Sequence, residues 1–188
     1  MSMRVPFAST LVIAACTTVI GATQGAAPLS PPVTDPVAYT IYAALLPPAW
    51  TTASTDTLLL QQETEPVARC TPSTPVDAGW RAAYDDYRQQ NARLHILDPT
   101  LLTTNVPYRL LSGSAIEADD VRLAAKYPGR WQRRPETVQY AAVSAVGFDP
   151  TRTKAVVGVH LRDTGQVHLL EQGEASWIEV PGGCVWIR

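Results

Sequence analysis

The sequence predicts an α+β fold in which an antiparallel C-terminal β-meander is covered by two or three helices. Three observations predict it. Residues 137–188 are a ladder of short Val-rich runs (137–148, 154–162, 166–172, 176–181 and 184–187) separated by Asp-Pro, Asp-Thr-Gly and Gly-Gly clusters, the pattern of strands joined by tight turns. Upstream, two segments carry apolar or aromatic residues at helical spacing behind an Asp cap. The chain of 188 residues is 46% hydrophobic and 17% charged, enough apolar matter for one buried core.

Residues 1–27 have the layout of an export signal. A short N-terminal region carries Arg4, an apolar and hydroxyl-rich stretch spans 5–22, and small residues follow. Leu11-Val12-Ile13-Ala14-Ala15-Cys16 resembles a bacterial lipobox, which implies lipidation at Cys16. Cleavage near Ala22 or Gly25 would instead release a soluble protein. A retained anchor would need about 20 apolar residues, and this stretch is shorter and diluted by Ser9, Thr10, Thr17 and Thr18. Residues 28–34 read as a flexible linker, and 35–188 as one globular domain.

Asp35 caps a first helix with Pro36 at its first position. Val37, Ile41, Ala44 and Leu45 form its apolar stripe, and Pro47-Pro48 stops it. Residues 55–64 read as a strand whose Leu58-Leu59-Leu60 centre suggests burial on both faces. Asp77 caps a second helix with Trp80, Tyr84, Tyr87 and Asn91 on one side. Its Asp85-Asp86 pair reads as a solvated face, with Arg81 and Asp85 four apart. Residues 107–112 look like a short strand. Ser114 or its successors start a third helix with Glu117, Asp119 and Asp120 in its first turn, where the helix dipole favours negative charge.

The net charge of −2 with no basic stripe gives nucleic acid no electrostatic footprint. The one local basic cluster, Arg130, Trp131, Arg133 and Arg134, has the chemistry to hold an anion or an aromatic ligand; a solvated loop is the alternative. Outside the leader the cysteines are Cys70 and Cys184, and an even pair in an oxidising compartment invites a disulfide. Such a bridge would close a loop on the order of 100 residues and contribute about 4 to 5 kcal/mol in the chain-entropy model. Two unrelated buried thiols are the other reading.

On residues 154–162, Ala155, Val157, Val159 and Leu161 share one parity and Gly158 and His160 the other. If Asp163-Thr164-Gly165 is a three-residue hairpin loop, His160 lies opposite His168 on an outward face, with Cβ atoms about 4.5 to 5.5 Å apart. Two imidazoles there could share a metal, although zinc takes three or four protein ligands, and His95 and Cys184 are distant in sequence. The chain has no Gly-x-Ser-x-Gly elbow, no His-Glu-x-x-His, no phosphate loop and no Cys-x-x-Cys. No cofactor is expected.

Tyr140, Ser144-x-Val146-Gly147-Phe148-Asp149, residues 154–159, His168-Leu169-Leu170-Glu171, Trp177 and Cys184-x-Trp186-Ile187 together resemble a group of uncharacterised bacterial exported proteins. Tyr87-x-x-x-Asn91 and Tyr127-Pro128 are similar to it as well, so the resemblance spans about 80–188. Members carry a cysteine-rich Gly turn where this chain has Arg162-Asp163-Thr164-Gly165. The resemblance implies export and no particular activity. The expectation is a non-enzymatic cell-envelope protein, lipid-tethered or periplasmic, with a membrane contact through its lipid and an envelope protein or wall component as partner. An exported hydrolase or metal-dependent enzyme using the His160/His168 face is the alternative.

Overall fold

A computed structural model describes residues 31–46, 57–65, 77–126, 140–161 and 164–187. In chain order these form α1 (Pro36–Leu45), β1 (Leu58–Gln61), α2 (Ala78–Gln90), β2 (Tyr108–Leu111), α3 (Gly113–Lys126), β3 (Ala141–Val143), β4 (Gly147–Phe148), β5 (Lys154–Leu161), β6 (Thr164–Gln172) and β7 (Trp177–Ile187). The leader with Cys16, the Cys70 region and the Arg130, Trp131, Arg133 and Arg134 cluster lie outside the described residues.

Local chemistry sets the helix starts. Asp35 Oδ1 accepts the Val37 N–H at 3.0 Å, and Asp77 Oδ1 accepts the Trp80 N–H at 2.9 Å. Each satisfies an N–H that the first turn leaves without a partner. For α3 the accepting hydroxyl is that of Ser112, 3.2 Å from the Ala115 N–H, rather than Ser114. A carboxylate from outside the helix, Glu63 Oε2, accepts the Gly113 N–H at 2.8 Å.

The seven strands form one sheet in the order β2-β1-β3-β5-β6-β7, with β4 pairing on β5. From β3 onward the pairing is antiparallel, which delivers the expected meander. β1 is parallel to both β2 and β3, so the whole is mixed but mostly antiparallel. Helices lie on both faces rather than on one. Tyr39, Ile41 and Tyr42 of α1 pack with Leu58, Leu60, Val157 and Leu170. Trp80, Ala83 and Tyr87 of α2 pack on the opposite face with Val156, Val167 and Leu169. Both parities of β5 and β6 are therefore buried, as suits strands covered on two sides. In β1, burial alternates: Leu58 and Leu60 are buried and Leu59 is half-buried. Residues 31–34, expected in a linker, run beside Ile96, where the Val33 N–H donates to Ile96 O at 2.9 Å.

Two irregularities shape the sheet. The run expected as one strand over 137–148 breaks between β3 and β4. Val143 pairs with Val159 and Gly147 with Val156, so three residues stand opposite two, a one-residue bulge. Ser144 fills it: its hydroxyl accepts the Gly158 N–H at 2.7 Å and donates to Ala145 O at 2.9 Å. Buried Tyr42 donates its hydroxyl to Ser144 O at 2.9 Å, and burial pushes that phenol above its ordinary pKa. In β7 the Gly182-Gly183 pair does not end a strand. It bulges between the Val167–Cys184 and Leu169–Val180 pairs, with Gly182 at φ 118°.

The β5–β6 register differs from the three-residue-loop expectation. Leu161 pairs with Thr164, leaving residues 162 and 163 as the connection. His160 therefore faces Gly165, and His168 faces Val157. Gly165 serves a purpose other than a turn. A Cβ there would lie 1.9 Å from Cζ2 of Trp186, the residue paired with it across β6 and β7. The indole occupies the space that the missing side chain leaves, and the strand continues through it.

Candidate functional site

The predicted histidine pair does not form. The register moves by three residues, an odd number, so His160 and His168 lie on opposite faces of the sheet. Neither faces outward: both are nearly buried, and each meets a separate carboxylate. His160 Nε2 lies 3.0 Å from Glu65 Oε2, and His168 Nδ1 lies 2.9 Å from Glu179 Oε1. Gln166 Nε2 also donates to Glu179 Oε1, at 3.0 Å. Among the described residues no group of three or more His, Cys, Asp or Glu is placed to hold a metal ion. Cys184 is the one cysteine among the described residues.

A concavity lies elsewhere, where residues 31–35, the outer face of α2 and the β3–β5 connections converge. It is an open cleft of about 810 Å³. Residues that anchor its walls come from three polar clamps. Asn91, one residue past α2, donates to Ala145 O at 2.9 Å, accepts the Ala145 N–H at 2.9 Å and donates to Tyr87 O at 2.8 Å. Asp86 Oδ2 accepts the Phe148 N–H at 2.8 Å, while its Oδ1 accepts from Gln90 Nε2 at 3.1 Å. Asp85-Asp86 is thus no solvated pair: Asp85 is exposed, 4.0 Å from Arg88 rather than paired with Arg81, and Asp86 is built into the sheet edge. The clamps hold α2 so close that a Cβ on Gly147 would lie 2.1 Å from the backbone nitrogen of Tyr87.

The third clamp is the β4–β5 turn. Asp149 Oδ1 accepts the N–H groups of Thr153 and Lys154, each at 2.7 Å, and Oδ2 accepts the Thr151 hydroxyl. Burial opposes ionisation of Asp149, but these bonds outweigh it, so its carboxyl titrates below the usual range. The turn places Arg152 in the left-handed region, at φ 57°. Its guanidinium lies 4.1 Å from the Phe148 ring centroid and reaches the Asp35 carboxylate, tying the start of α1 to the turn.

His95 lines the same cleft and is only 6% exposed. Its backbone N–H donates to the Thr64 hydroxyl at 2.9 Å, and its ring Nε2 lies 2.9 Å from Gln90 O. Sequence reasoning treated His95 as a remote partner for a metal and passed over Asp149 and Arg152. The signal was available in part, since Tyr87-x-x-x-Asn91 and Gly147-Phe148-Asp149 carry two of the three clamps. No protein-family model matches the chain, and no curated protein or solved structure matches it.

Proposed function

We propose that the chain is a non-enzymatic binding module of the cell envelope, exported and tethered by lipid at Cys16, that holds a polar segment of an envelope protein or wall component in this cleft. The cleft carries the reading. It is of ligand-pocket size, its lining mixes carboxylates, guanidinium groups and a buried imidazole, and its walls are fixed to the framework by hydrogen bonds instead of being left to mobile loops. Such a site binds without having to be ordered first. The hydroxyl of Ser144, within the bulge beside the cleft, is engaged with backbone on both sides and has no role as a nucleophile. A Cys70–Cys184 bridge belongs to the same proposal, as the staple of an exported fold.

The test is crosslinking of the mature protein in its own envelope fraction, compared with an Ala82→Trp variant that fills the cleft from α2. Capture of a stoichiometric partner by the wild type and its loss in the variant is the expected result. Equal capture by both moves the site elsewhere. In parallel, Cys16→Ser should leave the membrane fraction and lose the lipid mass; unchanged partition overturns the tether.

A further inference from the structure

We infer that the cleft accepts a small ligand group bearing a protonated amine, donated to the imidazole Nδ1 of His95 and balanced by the carboxylate of Asp86. This rests on the cleft being the binding site. The first observation is a tautomer. Gln90 O, a carbonyl, can only accept, so the 2.9 Å contact requires the proton on His95 Nε2. In the neutral form of that tautomer, Nδ1 carries a lone pair. Every hydrogen bond of His95 is accounted for by Thr64 and Gln90, and none reaches Nδ1 among the described residues. A buried acceptor without a donor costs about 1 to 3 kcal/mol. His95 is 6% exposed and lines the cleft, so the proposed ligand is one that satisfies this acceptor.

The second observation is charge. The lining holds Asp35, Asp85, Asp86 and Asp149 against Arg93 and Arg152, an excess of two carboxylates over guanidinium groups. Asp35 and Arg152 neutralise each other, and Asp149 is committed to its turn. Asp86 is half-buried, and each of its oxygens accepts one bond from the protein, which leaves further lone pairs for a donor. Exposed Arg93, and Arg88 beside Asp85, offset two further charges, so the carboxylates at the cleft still outnumber the guanidinium groups by one. An anion would meet this excess and bring no donor for Nδ1. A neutral apolar group would leave both acceptors unsatisfied. An ammonium group supplies three donors and the opposite charge.

The experiment uses the full chain and three probes of matched length: the N-acetyl amides of lysine, norleucine and glutamate. Long-range proton–nitrogen correlation of the imidazoles reads the tautomer and the Nδ1 shift, and the backbone amides of Ala82 and Gln89 report occupancy. Without ligand, the His95 pattern should be that of the Nε2–H tautomer. The lysine probe should shift Nδ1 upfield and bind at least about tenfold more tightly than norleucine, a difference near 1.4 kcal/mol. His95→Phe should remove the preference. Asp86→Asn, which can still accept from Phe148 N–H, should weaken it. An Nδ1–H tautomer, or norleucine or glutamate binding as tightly as lysine, overturns the inference. If those two probes still move Ala82 and Gln89, the cleft stands as a binding site for another chemistry; if no probe moves them, the cleft reading falls too.

Discussion

Replacing Gly147 by Ala tests the closest approach in the fold. The new Cβ would lie 2.1 Å from Tyr87 N, 2.3 Å from Tyr87 Cα and 2.5 Å from Ala83 O, all backbone atoms that no rotamer change can remove. Relief requires α2 to lift from β4 by roughly 1 Å, the difference between these distances and ordinary contact. A movement of that size stretches the 2.9 Å Asn91–Ala145 bonds and the 2.8 Å Asp86–Phe148 bond beyond hydrogen-bonding range. Overpacking costs about 1 to 3 kcal/mol, and each weakened bond about 1 kcal/mol. The expected total is about 4 to 6 kcal/mol, read as a fall in the urea midpoint of about 2 to 3 M at a slope of about 2 kcal/mol per M. Gly113→Ala is the control, because its Cβ would meet nothing nearer than 3.6 Å, and it should change stability by less than about 0.5 kcal/mol. A Gly147→Ala protein within that same margin, with an unchanged slope, refutes the reasoning.

Gly165→Ala should destabilise by about 1 to 3 kcal/mol through collision with the Trp186 ring, and Trp186→Leu should make the same substitution milder. Thermal melts of the four proteins check it; strictly additive losses sink the idea. The Asp77–Lys154 pair should give a small dependence of stability on pH. The hydrogen bond from the Lys154 ammonium lowers the Asp77 pKa, so that contribution is present above the unfolded-state value and lost as pH falls through the folded one. The Asp77 bond raises the Lys154 pKa, so its contribution is present below the unfolded-state value and lost as pH rises through the folded one. Denaturation midpoints of wild type and Asp77→Asn across the acid range should converge at low pH, and parallel curves would contradict the pairing.

What the sequence makes legible is what short range decides. The Asp35 and Asp77 caps, the Trp80–Tyr87 stripe and the alternation of β5 all depend on neighbours within a few positions. The β5–β6 register depends on more distant partners. Gly165 has two readings in sequence, a positive-φ turn residue or a space for a large neighbour, and only the pairing with Trp186 more than twenty positions away decides between them. The histidine pair depended on that choice. Likewise, nothing local indicates that β1 runs parallel to β2 and β3, because the residues that carry the chain back between them are read as helices without an address.

The cleft escaped for a related reason. The bulge at Ser144–Val146 and the free side of β4 leave the N–H groups of Ala145 and Phe148 without ladder partners. Both residues lie against α2, where an unpaired N–H is costly. Their acceptors come from Asn91 and Asp86, 54 and 62 positions away along the chain. By hydropathy Asp86 belongs to the solvent side of an amphipathic helix, and Asn91 is the polar end of the Trp80–Tyr87 stripe. In the fold, part of the polar face of α2 is matched to an interrupted sheet, and the rest of it lines the depression beside that junction. A helix facing an unbroken sheet would need apolar residues at these positions and would leave no cleft. The bulge, the polar clamps and the cleft are therefore one feature, which is why substituting Gly147, which does not itself line the cleft, is expected to disturb the proposed ligand site as well as the stability.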